Sequence, residues 1–312
     1  MLSIQIPLMI AEEHPCSIKR YHDSHDHEVF SWDDVPSFMP ANHFFTLGKV
    51  LGSGTSAKVH EATHPLFGKC AVKAFRSQYG FAAKDEINFL KRVQGHPHFP
   101  CMYDAWNNED EWFIAMELMN GTLFDLMDDT PMAIDQVSDV TKQLATALHF
   151  LHYTAKLVHF DLKPENIGYV THPDGSMTYK ILDLGGSEYL STVQTVKFQE
   201  QVASGQVVKT SKWYRANETL GLSEEAITEK VDIWSLGCIM YELMTNTPLF
   251  DKLEESDDLD ENDKVVMAGL LQVYHLSTQS SGKTYDMSVL AMKCLYYFVE
   301  DRISAEEIMA VL

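Results

Sequence analysis

The sequence is poor in cysteine and contains no long apolar run. Its 312 residues include only five cysteines, which are scattered and show no CxxC spacing, so neither a disulfide framework nor a zinc site is indicated. No stretch reaches the roughly 18–20 consecutive apolar residues of a membrane-spanning helix. The apolar segment Met1–Ile10 lacks the basic residues that open a secretory signal. We therefore expect a soluble intracellular protein of the cytoplasm, the nucleus or both.

Basic residues are also scarce. Against 45 aspartates and glutamates there are 24 lysines and arginines, which gives a formal net charge of −21. This charge disfavours nucleic acid and anionic membranes as partners, because both are repelled by an acidic surface. Two interpretations stay open, attraction of a basic polypeptide and solubility alone. The composition gives no indication of the oligomeric state.

Residues 1–40 differ in composition from the rest of the chain. They are rich in histidine and acidic residues and end in DDVPSFMP, whose prolines mark a boundary. His22, His25 and His27 suit a mobile polar arm better than a metal site, because no helical or strand pattern fixes their geometry. We expect an N-terminal polar extension over residues 1–40 and one folded domain over 41–312.

The folded domain begins with strand patterns and continues mainly with helical ones. Strands are predicted at Thr46–Val50 and Ala71–Phe75, and a helix at Ala82–Val93 places Ile87 and Leu90 on its apolar face.

Further along, three- and four-residue spacing of apolar side chains predicts a core helix over Ile134–Tyr153, with Asp135 as its N-cap. A hairpin is predicted at 167–171 and 178–182, and another helix at Lys230–Met244.

The segment Val158–Ile167, VHFDLKPENI, carries the residue types of metal-dependent phosphoryl transfer. Asp161 can accept a proton from an attacking hydroxyl, and Lys163 can neutralise charge on the moving phosphoryl group. Asn166 and the later Asp183 can hold Mg²⁺. In this order and spacing, these residues resemble the catalytic segments of the eukaryotic-type protein kinases.

The resemblance implies an α+β, bilobal protein kinase fold. Its β-rich N-lobe with one main helix would span about 41–119, and its mainly helical C-lobe about 120–312. It also implies that ATP and Mg²⁺ are bound between the lobes.

An N-terminal segment extends the resemblance. Leu51–Val59, LGSGTSAKV, resembles the glycine-rich strand-turn-strand that covers ATP phosphates, although Ala57 replaces its third glycine. Cys70–Lys73, CAVK, resembles the tetrapeptide whose lysine binds the α- and β-phosphates, with Glu86 as the partner of Lys73. Phe113 to Met119 reads as a strand leading into the hinge, with Met116 as gatekeeper.

The resemblance assigns nucleotide binding to a larger set of residues, with the backbones of Glu117 and Met119 offered to adenine. The set is Leu51, Gly52, Ser53, Gly54, Val59, Ala71, Lys73, Met116, Glu117, Met119, Asn166 and Asp183. The catalytic residues it implies are Asp161, Lys163, Lys73 and Glu86.

Later motifs carry the resemblance over about residues 44–312. Lys212–Glu218, KWYRANE, looks like the end of an activation segment, and Asp232–Gly237, DIWSLG, like the helix that anchors the catalytic loop. Asp301–Ser304 matches a late motif in which Arg302 would pair with Glu218 and brace the peptide-binding loop.

Some residues resemble a particular class of kinase. Lys163, two positions after the aspartate, is similar to serine/threonine kinases and unlike tyrosine kinases. The WYRA-x-E and WSLGC-x-MYELMTNTPLF runs look like the CMGC group, and Phe160 is similar to its Clk- and SR-protein-kinase-like branch. Glu165 stands where basophilic kinases bind a substrate arginine. The resemblance therefore implies protein substrates that are basic or rich in arginine and serine.

Three departures from the family pattern carry consequences. Phe160 replaces the arginine that receives an activation-loop phosphate, so we expect no control by that charge pairing. Asn217 replaces a proline and should loosen its loop.

Gly168 replaces the residue that supplies an apolar floor beneath adenine, which should weaken nucleotide binding by about 1–3 kcal/mol. With Ala57, it leaves open a second hypothesis, a pseudokinase that acts as a protein-binding or regulatory module.

Overall fold

The structure is a computed structural model. It describes residues 45–108, 111–127, 129–204, 211–253 and 259–312, together with two short paired strands, β1 (Tyr21–His22) and β2 (Glu28–Val29). The rest of the predicted N-terminal extension lies outside the described residues. The chain divides into two compact units, one formed by residues 1–95 and 100–118 and the other by 96–99 and 119–312.

The first unit is built on a five-stranded antiparallel sheet. Its elements are β3 (Thr46–Ser53), β4 (Ala57–His64), β5 (Gly68–Phe75), α1 (Gly80–Val93), β6 (Met102–Asn108) and β7 (Glu111–Met116). The strand order is β3-β4-β5-β7-β6. The run Cys70–Val72 is buried in β5 against Ala62 and Ala115, as the apolar pattern predicts. On α1, Ile87 and Leu90 are buried, and the predicted main helix of this lobe is confirmed.

The second unit is mainly helical. Its elements are β8 (Gly121–Thr122), α2 (Ile134–His149), β9 (Leu157–Val158), β10 (Ile167–Thr171), β11 (Met177–Ile181), β12 (Glu188–Tyr189), α3 (Leu190–Val193), α4 (Val196–Ala203), α5 (Lys230–Thr245), α6 (Leu259–Gln279), α7 (Gly282–Cys294) and α8 (Ala305–Val311). The predicted hairpin is β10–β11, with Ile167 opposite Ile181. Thus the predicted β-rich lobe followed by a mainly helical lobe is confirmed.

Two details of the long helix α2 differ from the prediction. Asp135 is not the N-cap, because Ala133 holds that position and Asp135 instead lies in the first turn, where it pairs with Lys283 at 2.6 Å. The α-helix ends at His149, and the chain continues as a π-helical turn, Phe150–Ala155. Apolar spacing does not distinguish these two helical forms, which share a buried face.

The helix α5 forms the centre of the second unit. All its residues from Val231 to Leu243 are buried, and the Trp234 and Ile239 side chains are fully enclosed. A helix that is apolar on every side belongs in a core. Its buried Asp232 is therefore available to hold neighbouring backbone in place.

No helix of the described residues is long and apolar enough to cross a membrane. Cys70, Cys238 and Cys294 are free and buried. Cys101 is disulfide-bonded, although the scattered positions of the cysteines give no indication of a disulfide.

Candidate active site

The first unit contains a buried ion pair between Lys73 and Glu86. Lys73 lies on β5, and its Nζ is 2.7 Å from each carboxylate oxygen of Glu86 on α1. The two side chains are 8% and 3% exposed, so the pair is largely protected from water. Burying two charges is costly unless the pairing geometry is good. A bidentate pair in such a place fixes the position of the lysine ammonium, and so can present it to an anion.

The glycine-rich segment forms the hairpin between β3 and β4. Gly52 pairs with Val59, and the Gly54 N–H donates to the Ala57 carbonyl at 2.9 Å. Leu51, Gly52, Ser53 and Gly54 are exposed, Val59 is half-buried and Ala71 is buried. A Cβ at Gly52 would meet no atom of the described residues within 4 Å, so their packing does not require glycine there. Glycine at this position would instead allow a ligand to approach the backbone closely.

Ala57, which replaces the third glycine, is buried. It is 4% exposed and stands opposite Phe75 in the β4–β5 pairing. Its methyl group therefore packs within the first unit.

The segment after β7 carries the predicted adenine contacts. Met116 ends β7 and is half-buried. The Glu117 N–H donates to the Cys101 carbonyl at 2.8 Å. Among the described residues, no backbone carbonyl accepts a hydrogen bond from the Met119 N–H. The assignment of adenine contacts to the backbones of Glu117 and Met119 stays a prediction.

In the second unit, Asp161 is the centre of a polar cluster. Its Oδ2 accepts hydrogen bonds from Lys163 Nζ and Asn166 Nδ2, both at 3.0 Å. Its Oδ1 accepts from the Ser211 N–H at 3.2 Å, and Lys163 Nζ also donates to Ser211 Oγ at 2.9 Å. We call Asp161, Lys163, Asn166 and Ser211 the Asp161 cluster. Charge-assisted hydrogen bonds such as these orient a carboxylate.

Sequence reasoning missed the role of Ser211. It lies 48 residues after Lys163, too far along the chain for residue spacing to relate the two. The structure instead places its hydroxyl on the lysine and its N–H on the aspartate. The only sequence signal is its place directly before the KWYRANE motif.

The helix α5 holds the segment that precedes Asp161. The Asp232 carboxylate accepts hydrogen bonds from the N–H groups of His159 (2.8 Å) and Phe160 (2.9 Å). His152 Nε2 lies 2.8 Å from the same carboxylate. Phe160 has a φ of 67°, an unfavourable conformation for a bulky residue. The buried Asp232 thus stabilises a strained turn that aims Asp161.

Asp183 and Asn166 suit a magnesium ion. Asp183 is exposed, has a φ of 55° and accepts a hydrogen bond from the Gly185 N–H at 3.2 Å. The Asn166 amide nitrogen donates to Asp161, so its amide oxygen is directed elsewhere. No group of three or more histidines, cysteines and acids forms a metal site within the described residues. Mg²⁺ fits these two oxygen ligands, because it commonly takes one or two protein carboxylates together with substrate phosphates.

The space beside Gly168 is filled. A Cβ built there would lie 2.5 Å from Met119 Cγ and 2.9 Å from Leu182 Cδ1. Glycine thus leaves no hole at this position, contrary to what its missing side chain suggests.

The comparison with known families decides the identity of the fold. The family described as "Protein kinase domain" matches residues 45–311 of the chain. The chain belongs to the protein kinase family.

Three relatives illustrate the range of similar kinases. Serine/threonine-protein kinase TIO of Arabidopsis thaliana is 30% identical over 209 residues, 65% of this chain and 15% of its own length. Homeodomain-interacting protein kinase 4 of Mus musculus is 31% identical over 225 residues, 68% of this chain and 34% of its own. Probable dual specificity protein kinase madd-3 of Caenorhabditis elegans is 30% identical over 241 residues, 71% of this chain and 26% of its own.

The chain therefore spans about a third or less of the length of these relatives. The matches confirm the predicted resemblance to eukaryotic-type kinases with CMGC-like features.

The predicted brace of the kinase C-lobe is present. Arg302 binds Glu218 with two hydrogen bonds of 2.7 and 3.1 Å, and both side chains are 0% exposed. Asn217 is fully buried, accepts from Arg302 at 3.2 Å and donates to the Tyr297 carbonyl at 3.1 Å. The expectation that Asn217 loosens its loop is therefore wrong, because its amide makes two bonds that proline could not.

A second buried pair supports the same loop of the kinase. The Tyr214 hydroxyl donates to Glu242 on α5 at 2.6 Å. Burial raises the pKa of Glu242 and that of Tyr214. The negative charge of Glu165 also raises the pKa of Glu242. Glu165 itself is exposed, so it remains accessible to a basic group.

Proposed function

We propose that this chain is a protein serine/threonine kinase in which Asp161 is the catalytic base. The Asp161 cluster is the observation that supports this function. In this cluster the Lys163 ammonium group and the Asn166 amide each donate a hydrogen bond of 3.0 Å to the Asp161 carboxylate. Phosphoryl transfer to a hydroxyl requires these three kinds of group.

In the proposed reaction, Asp161 orients the hydroxyl of a substrate serine or threonine and accepts its proton. The hydroxyl oxygen forms a bond to the γ-phosphorus of ATP, the bond to the β–γ bridging oxygen breaks, and ADP leaves. Lys163 stabilises the negative charge on the transferring group. Asn166 and Ser211 keep the Asp161 carboxylate in position.

The nucleotide is assigned to residues of both units. Lys73, fixed by Glu86, would neutralise the α- and β-phosphates, and the backbone at Gly52 and Gly54 would face the phosphates. Asn166 and Asp183 would hold Mg²⁺, which when bound supplies positive charge to the phosphate oxygens. Glu117 and Met119 would pair with adenine through their backbones.

The proposed substrates are proteins with basic sequences around the acceptor residue, including sequences rich in arginine and serine. The exposed Glu165 and the net charge of −21 support this class, because both attract arginine.

The alternative is a pseudokinase that serves as a binding or regulatory module. It rested on Ala57 and Gly168, but both positions are well packed, each within its own unit. No other feature of the described residues favours it over the enzyme.

The test is phosphate transfer from ATP to an arrayed library of serine and threonine peptides, with Mg²⁺ and with EDTA. We expect metal-dependent transfer, with basic peptides preferred over acidic ones. Absence of transfer with either Mg²⁺ or Mn²⁺ would overturn the proposal in favour of the binding module. Transfer confined to acidic peptides would overturn the substrate class alone.

A further inference from the structure

The contact between Met119 and Gly168 has a consequence for nucleotide binding. Beside the 2.5 Å approach to Met119 Cγ, a Cβ at residue 168 would lie 3.0 Å from Met119 Sδ. Real Cβ atoms essentially never approach carbon atoms so closely. The Met119 side chain therefore occupies the volume in which a side chain of residue 168 would begin, and the two positions exclude each other.

Backbone hydrogen bonds hold Met119 at this place. The neighbouring Asn120 N–H donates to the Tyr169 carbonyl at 2.8 Å, and Asn120 Oδ1 accepts from the Thr171 N–H at 2.9 Å. In the strand pairing that follows, Thr122 of β8 stands opposite Gly168 of β10. Met119 thus lies next to Gly168 because Asn120, which follows it, is hydrogen-bonded to β10.

Leu182 closes the other side of Gly168. Its N–H donates to the Asn166 carbonyl at 2.8 Å, and its carbonyl lies 3.0 Å from His159 Nε2. Leu182 directly precedes Asp183. The packed Met119–Gly168–Leu182 group therefore adjoins both residues assigned to the metal.

The Met119 and Leu182 side chains are each only half-buried, whereas Gly168 is buried. The apolar surface presented at this point therefore belongs to Met119 and Leu182. A thioether is polarisable and packs well on aromatic rings.

We propose that the Met119 side chain forms the apolar floor beneath the adenine ring, in place of residue 168. Residues 119 and 168 then form a complementary pair that determines nucleotide affinity, beyond the backbone contact assigned to Met119. This inference rests on the proposed function, since it needs a bound adenine nucleotide.

The test is a mutant cycle read by calorimetric binding of Mg²⁺ and a non-hydrolysable ATP analogue. Loss of the floor in Met119→Ala should weaken binding about tenfold. Gly168→Leu should also weaken binding, because its side chain displaces Met119. The double variant Met119→Ala/Gly168→Leu should return to within about threefold of wild type. Met267→Ala, an exposed methionine on α6, is the control and should bind normally.

A second measurement tests the same pair of residues if Gly168→Leu folds too poorly for binding to be measured. Gly168→Ala should lower the melting temperature of the nucleotide-free protein, and Met119→Ala should relieve that loss, because the added methyl group then has room.

Three outcomes would overturn the inference. The first is Met119→Ala binding as tightly as wild type, and the second is a double variant no better than Gly168→Leu with no coupling in the melting temperatures. The third is a wild type that binds no adenine nucleotide, which also defeats the proposed function. In the first two, wild-type binding and phosphate transfer persist, so only the role of Met119 fails.

Discussion

Replacing Phe198 by alanine should lower the proposed phosphate-transfer activity without altering any residue assigned to catalysis. Phe198 lies on α4, is 4% exposed, and its ring centroid is 5.8 Å from that of Phe160. Phe160 directly precedes Asp161 and occupies the place of the arginine that pairs with a phosphate in the family. The aromatic contact therefore links α4 to the residue that precedes Asp161.

The size of the expected effect follows from the burial of the Phe198 side chain. Helix α4 has eight residues, too few to be stable alone, and the described side chains that it buries are Phe198 and Val202. Truncating a buried phenylalanine costs about 3–5 kcal/mol. Even the lower value would shift the docking equilibrium of α4 by more than about a hundredfold. We expect kcat to fall at least about tenfold, and proteolysis within α4 to become faster.

The assay compares kcat on the best library peptide for wild type, Phe198→Ala and Val196→Ala. Val196 is 73% exposed on the same helix, so its variant should keep wild-type activity. Phosphatase treatment of the wild type should leave its activity unchanged. An active Phe198→Ala variant, or a wild type inactivated by phosphatase, would refute this reasoning.

Three further predictions also concern the second unit. Arg302→Met leaves the buried Glu218 without its cation, so the free energy of unfolding should fall by about 3–5 kcal/mol in urea titrations; an unchanged midpoint would contradict the brace. Because burial raises the pKa of Glu242 above its ordinary 4.5, the folded chain retains a proton that the unfolded chain releases, and stability should decline as pH rises from 4.5 through the raised pKa. Glu242→Gln should flatten that decline in melting curves, and an identical pH profile would argue against it. Ser211→Ala removes a hydrogen bond to Lys163 and should lower kcat about tenfold, with nucleotide affinity unchanged and activity restored by Ser211→Thr.

The sequence predicts the parts of this molecule that depend on neighbouring residues. The spacing of Ile87 and Leu90 gives the face of α1, and the apolar strand around Lys73 gives its burial, so the pairing with Glu86 follows from local patterns together with family order. The motif VHFDLKPENI likewise contains three members of the Asp161 cluster within a few residues.

The remaining features depend on contacts between distant segments, which periodicity does not reveal. Ser211 reaches Asp161 across 50 positions, and Met119 reaches Gly168 through the pairing of β8 with β10. Taken alone, Gly168 reads as a loss of contact, because the side chain that fills its place is that of Met119, which lies between β7 and β8. Asn217 reads as a loosened loop for the same reason, since its partner Arg302 is 85 residues away.

The decisive measurement is the separation of nucleotide binding from phosphate transfer in Asp161→Asn. Asp161 is assigned neither to the metal nor to adenine, so the variant should bind Mg²⁺ and ATP like wild type, while kcat falls about 10²–10⁴-fold. Asp260→Asn, an exposed substitution on α6, should match wild type in both measurements. Phosphate transfer by Asp161→Asn at the wild-type rate would contradict the assignment of Asp161 as the catalytic base.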